Sequence, residues 1–294
     1  MGCEIEGRYA GALAYTDDVT LVAPSFLAMR LMLRACEEFA ERYDVLFNGT
    51  KSVSIVINAP RGIAQISDFS LHGNIIPRED NALHLGSWVG KDSTKLNERK
   101  AVRDFVTSVN KIKTSFGHCG HNTIRRLFNT HCTSFYGASL LDLTKCDHLY
   151  TTWRKCIRFV LDLPQRTHNR FISPLIKSPR LYAQLVVRFA KFFTSGINSI
   201  NPLVKGCCKT LLHSRTPAAN NLRCINMHTA SNEKELVHLA GDGRALVGRV
   251  RVAFCAPDDS VLEAEVSVIN DLMNVRDGAS DAPLSPAEAA DLFE

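Results

Sequence analysis

Gly11-Ala12-Leu13-Ala14-Tyr15-Thr16-Asp17-Asp18-Val19-Thr20-Leu21-Val22-Ala23-Pro24-Ser25 is the stretch on which the reading of this chain turns. Residues 9–23 are small, apolar and β-branched, with an interruption at Thr16-Asp17. That pattern predicts two short strands joined by a tight turn. Hairpin tips usually carry Asn-Gly or Asp-Gly, because the backbone needs φ > 0 there. This tip carries Thr-Asp, with a second Asp directly after it. A turn that ignores turn chemistry and concentrates carboxylates suggests that chemistry chose the residues. Two adjacent carboxylates repel unless a cation sits between them or water solvates both. Two-metal phosphoryl transfer needs such a pair, and Mg²⁺ is the hard, oxygen-liganded ion that suits it.

Working outward, Ser25 is a plausible N-cap after Pro24. Met29, Met32, Leu33, Cys36, Phe39, Ala40 and Tyr43 then recur at helical spacing. Arg34–Glu38 and Glu38–Arg42 are i,i+4 pairs elsewhere on that helix. Strands are expected at 45–47, 52–57, 69–71, 75–76 and 83–89. From Asp92 the pattern turns helical, with Val102, Phe105, Val109 and Ile112 on one face and Lys95, Arg99, Lys100, Arg103, Lys111 and Lys113 distributed elsewhere. Further helices are expected near 122–137, 145–161, 179–195, 199–213 and 232–253, and at 260–275, where Leu262, Val266, Ile269 and Leu272 recur at helical spacing. Leu149, Trp153, Cys156 or Ile157, and Val160 form the stripe of the helix at 145–161, which Pro164 stops. A loop at 276–284 leads to Ser285-Pro286-Ala287-Glu288, a capping-box signature for a short terminal helix.

The 294 residues are 45% hydrophobic and 22% charged, a globular composition. The formal charge of +5 hides an asymmetry. Residues 91–215 hold 22 Lys/Arg against 6 Asp/Glu, a net of +16, whereas residues 256–294 hold 1 against 10, a net of −9. The basic middle suits a polyanion, or is a solvated basic surface. The acidic end reads as a solubilising or separate segment. No apolar run reaches about 18 residues, so no membrane span is expected. The first 20 residues lack a signal peptide's basic and apolar regions. Ten scattered cysteines then read as reduced thiols of an intracellular protein. No compact Lys/Arg run marks a nuclear address, so nucleus and cytoplasm both stay open. His118, Cys119, His121, His131 and Cys132, with Cys146 and His148 following, could be a zinc site, as could Cys207-Cys208 with His213, though no common finger has these spacings.

The run from Gly11 to Ser25 resembles the Tyr-x-Asp-Asp motif of reverse transcriptases, in the form typical of non-LTR (LINE-like) retrotransposons. The following helix, Phe47-Asn48-Gly49-Thr50-Lys51-Ser52 and His84-Leu85-Gly86 resemble the next three landmarks of that family, in the same order. Trp153-Arg154-Lys155-Cys156-Ile157-Arg158 and Leu163-Pro164-Gln165-Arg166-Thr167-His168-Asn169 resemble the helical region after its thumb. The resemblance covers roughly residues 1–180. It implies an α+β fold: a partial antiparallel palm sheet with one packed helix, then a mainly α-helical thumb and C-terminal region. The implied divisions are 1–90 (C-terminal half of the palm), 91–175 (helical thumb and connection), 176–255 (a helical region without an assigned role) and 256–294 (acidic segment).

The resemblance also implies roles. Asp17 and Asp18 would be catalytic metal ligands for Mg²⁺. Tyr15 would pack near the primer terminus and Lys51 by the nucleotide's phosphates, while His84, Leu85 and Gly86 would shape the primer grip. Lys95, Arg99, Lys100, Arg103, Lys111 and Lys113 would hold the backbone of an RNA template and DNA primer, with a dNTP as substrate in the parent protein. The family's third carboxylate and its fingers lie upstream of Tyr-x-Asp-Asp, and this chain starts 14 residues before Tyr15. The expectation is therefore a truncated RNA-directed DNA polymerase that is inactive alone. The alternatives are a non-catalytic nucleic-acid-binding remnant and a pseudogene product.

Overall fold

A computed structural model describes residues 2–57, 68–229 and 231–255. The expectations for 260–275, 276–284 and 285–288 lie outside the described residues. The fold is α+β, and the chain divides into two units: 1–96 with 199–210, and 97–198 with 211–294.

The first unit contains four antiparallel hairpins, β1 (Glu4–Ile5) with β2 (Arg8–Tyr9), β3 (Ala12–Tyr15) with β4 (Asp18–Leu21), β5 (Phe69–Leu71) with β6 (Asn74–Ile76), and β7 (Asn81–His84) with β8 (Ser87–Gly90). The Cys3 N–H donates to the Val22 carbonyl at 3.1 Å and joins the first two hairpins, while Ala10 to Cys3 (2.8 Å) and Val22 to Gly11 (2.7 Å) extend each hairpin at its open end. Helix α1 (Phe26–Tyr43) starts where expected, the Ser25 hydroxyl accepting from the Ala28 N–H at 3.2 Å. The core of this unit is Leu33, Phe69, Leu71 and Ile76, with Leu21, Phe26, Met29, Cys36 and Phe47 packed around it. Glu37 of α1 accepts the His72 N–H at 2.7 Å and so holds the β5–β6 tip.

Several sequence expectations are corrected. No strand forms at 45–47 or 52–57. Asn48 instead organises a turn, its carbonyl accepting from Ser52 N–H (3.1 Å) and its side chain from Lys51 N–H (3.1 Å). Beyond it only a single parallel bridge, Ser54 with Arg78, survives. The neighbouring Pro77 has no N–H to extend a ladder. The span 83–89 is two strands rather than one, because Leu85 and Gly86 both take positive φ (46° and 75°) and reverse the chain. Phe39 and Tyr43 are exposed and pack on each other as a tilted pair with centroids 4.6 Å apart, instead of joining the core.

The second unit is helical around α6 (Leu181–Ile197), which is buried along most of its length. Against it or near it pack α4 (Asp147–Val160), α8 (Pro217–Thr229), α9 (Glu233–Gly241) and α10 (Ala245–Cys255). Helix α2 (Ser93–Phe116) buries Ala101, Phe105, Val109 and Ile112. In α4 the stripe Leu149, Trp153, Cys156, Ile157 and Val160 is buried as expected. The helix expected at 122–137 is shorter: α3 (His121–Leu127) widens into a π turn at Phe128–Cys132 and stops. The helix expected at 232–253 is broken between α9 and α10, where Gly243 has φ 66°. Its N–H bonds back to the Ala240 carbonyl at 3.1 Å, which ends the first helix. Helices α5 (Asn169–Ile176) and α7 (Pro202–Leu211) complete the set among the described residues, α7 belonging to the first unit but for its last residue.

Candidate functional site

The tip of β3–β4 falls where the sequence put it. Tyr15 pairs with Asp18 and a two-residue turn, Thr16-Asp17, closes the hairpin. Side chains alternate across a strand, and directly paired residues share a face. Asp18 and Thr20 therefore lie with Tyr15 and Leu13 on one face. Leu21, Val19, Ala12 and Ala14 take the other, and Leu21 joins the core beneath α1. The face bearing Tyr15 and Asp18 is thus the one turned away from that core, and both residues are exposed.

Thr16 has φ 51°, an unusual conformation for a β-branched residue. Its hydroxyl lies 2.7 Å from the Tyr15 carbonyl oxygen and 2.8 Å from Asp17 Oδ1, so one proton serves two acceptors. The Thr16 hydroxyl, and after it Asp17's own backbone N–H, hold the Asp17 carboxyl below the usual carboxylate range. Among the described residues no Lys or Arg pairs with Asp17 or Asp18. Adjacent, solvated and without a cationic partner, the two carboxylates offer hard oxygen donors. Mg²⁺ commonly takes one or two carboxylates and keeps water or substrate phosphate on its other positions. The donor chemistry fits that ion. No group of three or more His, Cys, Asp or Glu able to hold a metal occurs among the described residues.

His84 ends β7, and its Nε2 lies 3.2 Å from Thr20 Oγ1. The β7–β8 hairpin, with its Leu85-Gly86 turn, is thereby tied to the face that carries Asp18. Thr20 escaped the sequence reading, although its i+2 spacing from Asp18 is the signal that puts both on one face. Lys51 is exposed on the Asn48 turn. Gly49 in that turn is buried, and a Cβ on it would meet Asn74 Cβ at 3.0 Å, so the loop lies against β5–β6.

At about 100° per residue, Arg99, Lys100, Arg103 and Lys111 fall on the half of α2 opposite its buried stripe, and Lys95 and Lys113 flank that stripe. They are not equivalent. Lys100 pairs with Asp104 at 2.9 Å, and Arg103 reaches the same carboxylate at 3.6 Å. Lys113 lies 2.6 Å from both oxygens of Asp162. Lys95, Arg99 and Lys111 are exposed and have no carboxylate partner among the described residues.

Comparison with protein-family models, curated proteins and solved structures finds no match.

Arg158 links two stretches that the sequence reading grouped. It donates to the Thr167 carbonyl (2.7 Å) and to Asn169 Oδ1 (2.8 Å), joining the end of α4 to the start of α5. Two of the cysteines considered for zinc, Cys132 and Cys146, are buried, and burial pushes both thiols up to about 12. The Cys146 thiol donates to the Asp142 carbonyl at 3.1 Å. Trp153 is buried core. No helix among the described residues is long and apolar enough to cross a membrane.

Proposed function

We propose that this chain is the C-terminal part of a non-LTR, LINE-like reverse transcriptase, an RNA-directed DNA polymerase, with Asp17 and Asp18 as its metal-binding carboxylates. The observation that carries the reading is the β3–β4 tip. Its turn holds Thr16 in a left-handed conformation and presents adjacent, unpaired carboxylates on the face turned away from the α1 core. On this reading residues 1–90 are the half palm and α2 begins the thumb.

Each residue then has a physical task. Asp17, kept ionised by the Thr16 hydroxyl, and Asp18 beside it would hold magnesium at the primer end. Magnesium held there would supply Lewis-acid stabilisation of the charge that develops in nucleotidyl transfer. Tyr15, exposed next to them, supplies a flat surface for the primer terminus. His84, anchored through Thr20, positions the Leu85-Gly86 turn as the primer grip. Lys51 serves the phosphates of the dNTP. Lys95, Arg99 and Lys111 neutralise backbone phosphates of the RNA template and DNA primer without reading their sequence.

The test is divalent binding by the full chain, followed by Mn²⁺ electron paramagnetic resonance. Wild type binds weakly, since only two carboxylates contribute. Asp17→Asn and Asp18→Asn each weaken binding about tenfold or more. Equal binding by all three chains would overturn the reading. Primer extension by the chain alone is expected to be absent, because among the described residues no third carboxylate joins the pair.

A second reading, a non-catalytic nucleic-acid-binding remnant, is favoured by one observation: the outward half of α2 is basic while its inward stripe is apolar. Binding to an RNA–DNA duplex should then fall steeply with salt as counterions are released. A flat salt response would remove it.

A further inference from the structure

We propose that the cleft between α6 and the α9–α10 turn binds a small phosphate monoester that carries hydroxyl groups, a sugar phosphate or a mononucleotide. The cleft lies wholly within the second unit and encloses about 530 Å³, a volume within the range of small-molecule sites. Lys191, Thr194 and Ser195 of α6, with Asn198 just past its end, form one wall. Their spacing of i, i+3, i+4 and i+7 puts them on one face. Gly241, Asp242 and Gly243, with the first turn of α10, form the other wall. Asn198 ties the two together, its Nδ2 donating to the Thr194 carbonyl at 2.9 Å and to the Ala240 carbonyl at 2.7 Å.

Thr194 is the residue that asks for a ligand. It is 7% exposed, and its hydroxyl is buried without a hydrogen-bond partner. Buried polar groups are nearly always satisfied, so an orphan hydroxyl beside a cleft points to a group that arrives from outside. A helical threonine has two open χ1 wells, so this hydroxyl can turn to a ligand without backbone movement. The opposite wall supplies N–H donors. The first helical bond of α10 runs from the Gly248 N–H to the Arg244 carbonyl at 2.9 Å. The N–H groups of Ala245, Leu246 and Val247 therefore have no acceptor within the helix, and such an end favours an anion. A Cβ on Gly241 or Gly243 would meet nothing within 4 Å, so the backbone there is open to close approach. Lys191 adds the charge, being exposed and without a carboxylate partner among the described residues. Asp242 narrows the ligand class. Its carboxylate would repel a bare phosphate dianion but accepts from a hydroxyl. The phosphate then sits by Lys191, Thr194 and the α10 end, with the hydroxyl groups toward Asp242.

The experiment is isothermal titration calorimetry of the full chain with ribose 5-phosphate, AMP and inorganic phosphate. Both esters are expected to bind more tightly than inorganic phosphate. Lys191→Gln should weaken ribose 5-phosphate about tenfold. Lys155→Gln, which removes an exposed lysine of α4, should leave it unchanged. Thr194→Val should weaken it about fivefold, while Thr194→Ser, which keeps the hydroxyl, should retain it. Asp242→Asn should tighten inorganic phosphate and weaken ribose 5-phosphate. Tighter binding of AMP than of ribose 5-phosphate makes the ligand a mononucleotide, equal binding makes it a sugar phosphate, and both bear out the site. No saturable binding of either ester overturns the proposal. So does a loss from Lys155→Gln as large as that from Lys191→Gln, which marks general attraction to a basic surface. Inorganic phosphate bound as tightly as the esters overturns the ligand class.

Discussion

Four hairpins of the first unit turn in two residues, and one of them turns differently. Glu6-Gly7, His72-Gly73 and Leu85-Gly86 all place both residues at positive φ, with glycine second. That is the I′ geometry whose twist matches the flanking strands. At Thr16-Asp17 only Thr16 has positive φ, and an aspartate takes the glycine's place. All four tips hold a non-glycine residue at positive φ: Glu6, His72 and Leu85 in the I′ tips, and Thr16 in the fourth. Thr16 alone of these is β-branched, the residue type for which that conformation costs most, and its tip sets two carboxylates side by side. Turn preference therefore accounts least for the residues of the β3–β4 tip.

Gly90 closes the β7–β8 hairpin at φ 132°, and a Cβ there would run into the Asp80 carbonyl oxygen. Gly90→Ala should cost about 3 kcal/mol in urea unfolding. Gly86→Val, which puts a β-branched residue into an I′ tip, should cost about 1–2 kcal/mol by the same measurement. Thr16→Gly should run the other way and leave stability equal or higher by about 0.5 kcal/mol. A loss matching that of Gly86→Val would show that the β3–β4 tip stores no strain.

The smallest effect is on titration. The folded carboxyl of Asp17 lies below its ordinary value, mainly through the Thr16 hydroxyl. Its contribution to stability is therefore in place above the ordinary carboxylate range and is lost as pH falls through the lowered value. Thr16→Val should move the Asp17 carboxyl upward, toward the ordinary range, in an NMR titration of the side chain. An unchanged titration would separate Thr16 from Asp17.

The candidate site was legible in part. Alternation around Thr16-Asp17 announced the hairpin, and Ser25 announced the start of α1. The Thr20–His84 contact was not legible, because it joins residues 64 apart. Nor could the basic residues of α2 be ranked. Lys113 is spent on Asp162, 49 residues away, while Lys111 on the same helix is not. Helix α8 was hidden by Asn220-Asn221, which break its apolar pattern. Asn221 is buried, accepts the Leu143 N–H at 2.9 Å and donates to the Leu141 carbonyl at 2.8 Å. Asn220 donates to Asp142 at 2.9 Å.

By itself the sequence determined the local elements: the β3–β4 turn, the cap of α1, the buried stripes of α2 and α4, and the separation of basic from acidic regions. Periodicity, capping and turn preference act over a few residues, so they can be read without knowing the partners. Only the tertiary structure decided which hairpin meets which, that 52–57 stays unpaired but for one bridge, and which cations remain available. Those outcomes depend on which distant group arrives to satisfy a buried polar atom or to neutralise a charge, and no short stretch of chain encodes its own partner.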